Sequence, residues 1–358
     1  MNKRILMTAD IHYERIPKDQ RTSFLRYLTG SIEEFLPDIF IIAGDTVDSR
    51  NLRAESDDFK EVTEFINSVA ECCIRFGATF IILRGTPSHD GEVMQNITSF
   101  MGSKVIYIDK ICSKFIQDLA IGFIPELYYA KYEDFIKDLE TEIKFSQDVI
   151  IFHGMMNFAI PAVKQIDSRW DLHKNLVMNY KDVENYAKTI VIGGHVHEFM
   201  NMGKTFYTGR AISNVGEVTE GRVFGLQLVD IDTKANKYEL KSIINKDVPL
   251  IRKVTVDLIN DDIRELINHF KSFNVDELKF IFVVDSNEST VNKQKEFMEV
   301  IKPKYYQVKH KVEVKEVIKL ATDALEDIDA LVHEFYKKKT NLDIPESLCK
   351  EVDLKMKE

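Results

Sequence analysis

The chain has no apolar run approaching the ~18 consecutive residues that cross a bilayer, so no membrane span is expected. Its opening, "MNKRILMTADIH", holds an apolar stretch of only about five residues before an acid, short of the ~7–15 of a signal peptide. Secretion is not expected, and a cytoplasmic location is. Cysteine is scarce: Cys72, Cys73, Cys112 and Cys349 include an adjacent pair and no CxxC, which argues against a disulfide framework or a zinc ribbon and for reduced thiols. Positive charge is also in deficit, with 48 Lys and Arg against 58 Asp and Glu and a net charge of −10. An overall field of that sign does not grip nucleic acid, although it leaves room for a local basic face or for bound cations. Internal repeats and low-complexity tracts are absent as well.

What remains is a 358-residue globular composition, 44% hydrophobic and 30% charged, long enough for two or more domains at roughly 100–200 residues each. Apolar β-branched runs alternate with helical patterns: "RILMTA", then Phe24, Leu28, Ile32 and Phe35 at helical spacing, "IFIIAG", a long helical stretch over about 56–76, and "TFIILRG". Such alternation predicts parallel βαβ units, with strands covered on both faces. "KVIYID", "LAIGFIP", "DVIIFHG" and "TIVIGGH" are further strand candidates. After about 205 the texture changes to "TFYTG", "VFGLQLVDID" and "KYELKSII", which reads as antiparallel.

The domain reading is 1–248 for the main domain, 249–313 for a small α+β unit, and 314–358 for a helical tail in which Val317, Leu320, Ala321, Leu325, Ile328, Leu331, Val332 and Phe335 recur at i, i+3, i+4 spacing. That tail either packs on its own domain or docks another protein.

In open α/β sheets, ligands bind beyond the carboxyl ends of the strands. Asp10 and His12 follow "RILMTA"; Asp45 and Asp48 follow "IFIIAG"; Ser88, His89 and Asp90 follow "TFIILRG"; His153 closes "DVIIF"; His195 and His197 follow "TIVIGG". Five of the nine histidines fall there. Each piece alone has a structural explanation, but carboxylates and imidazoles collected in this way form the ligand set of Mn²⁺, Zn²⁺ or Fe²⁺. An Asp flanked by histidines suits two ions about 3.5–4 Å apart. If these residues continue the extended strands, positions i and i+2 share a face, so Asp10 with His12 and His195 with His197 would each serve one site.

The ordered set D-x-H, G-D-x-x-D, a His-Asp turn, H-G and G-H-x-H resembles the calcineurin-like metallophosphoesterases over about residues 4–210. The resemblance implies a four-layer αββα sandwich of two mixed sheets, with the α+β unit as a C-terminal capping domain. "TADIHYE", "AGDTVDS" and "FYTGRAISNVGE" are similar to SbcD-type nuclease subunits of the SbcCD class, which include compact, phage-encoded versions. That likeness implies a metal-dependent DNA exo- or endonuclease with two divalent ions, Mn²⁺ foremost, working as a homodimer beside an SMC-like coiled-coil ATPase docked on the helical tail.

Carried residue by residue, the resemblance gives Asp10, His12, Asp45 and His197 to one ion and Asp45, His153 and His195 to the other, with Asp45 bridging. The family's third motif reads G-N-H-D/E, its Asn completing the second ion's shell and its His acting in catalysis. Here His89 matches the catalytic histidine and Ser88 stands in the asparagine's place, a shorter and weaker donor. Asp48 is expected to orient His89, or else only to cap the turn. Lys302, Lys304, Lys309 and Lys311, with Lys315 and Lys319 beyond them, are candidates for phosphate contact or plain solvated surface; Trp170 belongs to the core or to base stacking. Two other classes stay open: a small-substrate phosphatase or phosphodiesterase on the same metal site, and an assembly subunit whose site has decayed at Ser88.

Overall fold

The computed structural model describes residues 2–48, 52, 56–144, 146–161, 176–285 and 287–310. Lys311, Lys315, Lys319, Trp170, Cys349 and the helices expected over 314–358 lie outside these residues. The chain divides into two compact units, Met1–Arg252 and the part from Lys253 onward. No helix among the described residues is long and apolar enough to cross a membrane.

In chain order the first unit contains β1 (Asn2–Thr8), α1 (Lys18–Phe35), β2 (Ile39–Ala43), α2 (Asp57–Phe76), β3 (Thr79–Leu83), α3 (Gly91–Met101), β4 (Ile106–Ile108), β5 (Cys112–Ile116), β6 (Leu119–Ile124), α4 (Tyr132–Glu142) and β7 (Gln147–His153). It continues with β8 (Met155–Met156), β9 (Val177–Met178), α5 (Tyr180–Glu184), β10 (Ala187–Gly194), β11 (Phe199–Met202), β12 (Thr205–Thr208), β13 (Gly225–Asp232) and β14 (Lys237–Ile244). Local chemistry sets the helix limits. At the start of α2 the Ser56 hydroxyl accepts the N–H of Phe59, and Gly77 closes the helix in the left-handed region, where a residue without Cβ is unstrained.

Six strands form each of two sheets, in the orders β14-β13-β1-β2-β3-β4 and β11-β12-β10-β7-β6-β5. Strands β1 to β4 run parallel, as do β6, β7 and β10, and the outer strands bring antiparallel pairs. Side chains alternate between faces along each strand. Ile5, Met7, Ile39, Ile41 and Ile81 therefore meet Ile121, Phe123, Val149, Ile151, Ile190 and Ile192 between the sheets. Their neighbours Leu6, Phe40, Ile42, Phe80 and Ile82 face Phe24, Leu28, Val62 and Phe65 of α1 and α2. On the outer face of the second sheet, Ile150, Phe152 and Val191 cluster with Phe135 and Leu139 of α4 and Val183 of α5. The result is the αββα sandwich, with each fully buried apolar side chain contributing roughly 1.5–3 kcal/mol.

The antiparallel reading of the strands after 205 holds for β13 with β14 and for β12 with β11, but not for every neighbour. Although β13 and β14 are antiparallel, β12 runs parallel to β10, with Val191 opposite Thr205, and antiparallel to β11. The β11–β12 hairpin inserts its second strand beside β10, so that strand inherits the direction of β10.

The second unit is a three-stranded sheet of β15 (Arg252–Asp257), β16 (Leu278–Val284) and β17 (Tyr305–His310) with helices α6 (Ile263–Phe270) and α7 (Glu288–Ile301). Its core gathers Phe270, Phe280, Phe282 and Phe297. Lys302 ends α7 with φ +51°, and Lys302, Lys304 and Lys309 are exposed.

Candidate metal centre

Asp10, Asp45 and the turn 85–90 follow β1, β2 and β3 of the first sheet, while Glu126, His153 and His195 follow or end β6, β7 and β10 of the second. Backbone bonds lace these corners together: the N–H of Asp10 donates to Gly44 O at 3.0 Å and that of His12 to Asp45 O at 3.0 Å. Two bonds then cross between sheets. The N–H of His195 donates to the Asp10 carboxylate at 2.9 Å, and His153 Nδ1 meets Ala43 O at 2.7 Å.

The corners are turns, not strand continuations. Asp10, His12, Asp45 and His195 have φ of +53°, +45°, +49° and +101°, a region that side-chain-bearing residues rarely occupy and that concentrates at functional sites. The i, i+2 reading fails for His195 and His197, which fall into different groups, whereas Asp10 and His12 do share one. Close approach adds its own demand at Gly44 and Gly85. A Cβ on Gly44 would lie 2.1 Å from His153 Nδ1, and one on Gly85 would lie 2.1 Å from Asp45 N, so only glycine lets these turns meet.

Four groups of potential ligand atoms arise, each with all atoms within 4.8 Å of one another: Asp10, His12 and His197; His12, Asp45 and His89; Asp10, Asp45 and His153; and Glu126, His153 and His195. Asp10, His12, Asp45 and His153 each belong to two, so the groups merge into one elongated cluster. Neighbouring imidazoles stand 5.0–5.5 Å apart between ring centroids.

The donor set fits divalent cations on a specific observation. Because His153 Nδ1 faces the Ala43 carbonyl, its hydrogen is placed there and Nε2 bears a lone pair. That Nε2 is fully buried, lies 3.4 Å from Asp45 Oδ1, and has no hydrogen-bond partner. Likewise His195 Nδ1 lies 3.0 Å from Glu126 Oε2 without hydrogen-bonding direction, and His12 Nδ1 is buried and unpartnered. Lone pairs that approach carboxylate oxygens this closely, away from water, are stabilised by a cation they share.

The same crowding shifts the acids and bases. Burial raises Asp10 to about 6 despite the opposing charge of His153, and burial drives His12 down to about 3. For Asp45, burial works upward but His153 and His89 outweigh it and hold the carboxylate well below its ordinary range. Burial opposes a charge on His153, but Asp45, Asp10 and Glu126 together outweigh it and, with no cation bound, raise it to about 10. Burial also opposes a charge on His89, yet its contact with Asp45 raises its pKa.

His89 sits at this cluster with Nδ1 2.8 Å from Asp45 Oδ2. The partner is Asp45 and not the expected Asp48, whose carboxylate pairs with Arg15 and whose N–H donates to Glu14 at 2.9 Å. Asp48 thereby serves the turn after β2. Ser88 is half-buried in the turn whose N–H groups at His89 and Asp90 both reach Thr86 O. In the same turn Thr86 contributes more directly, its N–H to Asp45 Oδ1 at 2.6 Å and its hydroxyl 3.2 Å from Asp45 Oδ2 and 3.1 Å from Glu126 Oε2. Asp90, fully buried, accepts from the N–H groups of Thr46, Val47 and Gly85.

Glu126 was not among the sequence candidates. The rule that found the others applies to it, since it comes two residues after β6 with only Pro125 between. A lone Glu among 58 acidic residues carries no pattern, and only the pairing of β6 with β7, Ile124 opposite Phe152, brings it to His153.

Comparison with curated proteins finds no match. Among solved structures, one crystal structure is 14% identical, with a TM-score of 0.41 over 68% of this chain and 99% of the other. Another, the glutamine-dependent NAD⁺ synthetase from Acinetobacter baumannii, is 7% identical, with a TM-score of 0.35 over 94% of this chain and 68% of the other. Both likenesses are too slight to bear on fold or chemistry. The calcineurin-like phosphoesterase model matches residues 3–199, more than half of the chain and the stretch that carries all of these corners, and the protein therefore belongs to that family of metal-dependent phosphoester hydrolases.

Proposed function

We propose that the protein is a nuclease that hydrolyses phosphodiester bonds in DNA with two divalent cations, in the manner of SbcD-type subunits. The observation that carries the hydrolytic part is the merged cluster of Asp10, His12, Asp45, Glu126, His153, His195 and His197, in which the buried His153 Nε2 and His195 Nδ1 face carboxylates without hydrogen bonds. Bound there, divalent cations polarise phosphoryl oxygens and offset the negative charge of the transition state. The chain's own part is positioning and proton transfer. Asp45 fixes His89 through Nδ1 and favours its protonated form, which leaves Nε2–H as a general acid for the departing sugar oxygen. Asp10 and the Ala43 carbonyl orient His195 and His153 across the two sheets.

The choice of DNA rests on the sequence likeness to SbcD-type chains and on the exposed Lys302, Lys304 and Lys309 of the second unit, suited to phosphates irrespective of base sequence. Mn²⁺ suits the mixed His and carboxylate donors. A second copy of this chain and a coiled-coil ATPase are the partners this reading implies. Digestion of end-labelled linear duplex DNA with Mn²⁺, run beside an aryl phosphate monoester and diester, tests it. Shortened DNA products are expected; turnover of the small esters with intact DNA would establish a small-substrate phosphoesterase instead.

A further inference from the structure

We propose that Glu126 is a resident ligand of the second cation, closing with His153, His195 and Asp45 the shell for which the sequence offers only Ser88. The inference rests on the two-cation reading above and names the group that sets the second ion's affinity.

The carboxylate of Glu126 is 8% exposed, and its Oε2 lies 3.0 Å from His195 Nδ1 and 3.8 Å from His153 Nε2. Among the described residues no Lys or Arg forms an ion pair with it. A buried carboxylate without a cationic side chain is costly unless other positive charge reaches it. The imidazoles do not supply it by ordinary hydrogen bonds, because His195 Nδ1, at 3.0 Å, lacks hydrogen-bond direction and His153 Nε2, at 3.8 Å, is beyond hydrogen-bond distance. Three donor atoms instead surround a common point.

Thr86 supports the arrangement, with its hydroxyl 3.1 Å from Glu126 Oε2 and 3.2 Å from Asp45 Oδ2. One hydroxyl hydrogen serves only one of these oxygens at a time, so the two carboxylates stand close with a single proton between them. Such a juxtaposition of acids calls for a cation, and an orienting hydroxyl beside ligating carboxylates is what a second ligand layer supplies. Placement follows from the fold: β6 and β7 are adjacent and parallel, so Glu126 and His153 leave neighbouring strand ends, and Pro125 restricts the backbone between strand and ligand.

With Glu126 the site sets three carboxylates against two divalent cations, one negative charge more than Asp10 and Asp45 provide. The second ion is accordingly held by charge as well as by lone pairs. A hydroxyl from Ser88 is not required.

Titration of Mn²⁺ into wild-type, Glu126→Gln, Glu126→Ala and Ser88→Ala proteins, followed by the electron paramagnetic resonance of free Mn²⁺, tests this without any assay of activity. Two ions per chain are expected for wild type and for Ser88→Ala. For both Glu126 variants one ion should weaken by at least the roughly 10–100-fold typical of losing even an outer-layer partner, and the other should hold. The near-isosteric Gln decides the matter if the Ala protein does not fold. Two unchanged sites in Glu126→Gln would overturn this inference and leave the proposed function standing. Wild-type protein that binds no Mn²⁺ would overturn both.

Discussion

The carboxylate of Asp90 accepts the backbone N–H of Thr46 at 2.9 Å across 44 positions of sequence. With its other bonds, to Val47 N–H at 3.2 Å and Gly85 N–H at 2.6 Å, it ties the turn after β3 to the turn that presents Asp45. Replacing Asp90 by Ala strands three buried donors, at a cost expected to be roughly 3 kcal/mol or more. Urea unfolding would show the loss, and Mn²⁺ binding should weaken with it because Asp45 loses its frame. Unchanged stability would refute the bracing role.

His89 and Asp45 separate catalysis from cation binding. His89→Leu should retain cation stoichiometry while hydrolysis falls by about 10²–10⁴-fold, the usual contribution of a general acid. Asp45→Ala should lose both. Metal content after gel filtration, read beside turnover, distinguishes the two variants; equal turnover in His89→Leu and wild type would remove His89 from the mechanism.

Glu14 makes stability depend on pH. Burial raises its carboxyl from 4.5 to about 7, while its oxygens accept the N–H of Asp48 at 2.9 and 3.0 Å. A carboxyl with a raised folded-state pKa binds its proton more tightly folded than unfolded. Its favourable contribution is complete below about 4.5 and is lost as pH rises to about 7. Glu14→Gln keeps an acceptor for Asp48 without the ionisation. The variant should therefore gain on wild type across that window, by up to about 3 kcal/mol, in melting curves taken at successive pH values. A difference that stays flat with pH would contradict the assignment.

Lys302, Lys304 and Lys309 are exposed within eight residues of one another. If they meet phosphates, a triple change to Ala weakens binding to unrelated duplexes alike and lowers the salt slope by roughly 2–3 units, about 0.9 per lost contact. Fluorescence anisotropy at several salt concentrations measures both, and an unaltered slope would leave these lysines as solvated surface.

Much of the fold was readable because buried parallel strands announce themselves as apolar runs and the helices between them as i, i+3, i+4 patterns. β1, β2, β3, β6, β7 and β10 all fall on such runs. The direction of β12 was not readable, since strand polarity depends on which neighbour a hairpin lies beside. Which acid partners His89 was not readable for a related reason: Asp45 and Asp48 are three residues apart, and their turn sends one carboxylate to the imidazoles and leaves the other, with Arg15, to serve the turn.

Sequence alone determined that acids and imidazoles would follow apolar strands, because both facts are local: composition sets burial, and chain order sets what comes after each strand. It could not determine which residues share an ion. Left-handed turns at Asp10, His12, Asp45 and His195 re-aim their side chains, and the alignment of β6 with β7 recruits Glu126. Those outcomes depend on contacts between segments distant in the chain, and only the packing of the two sheets supplies them.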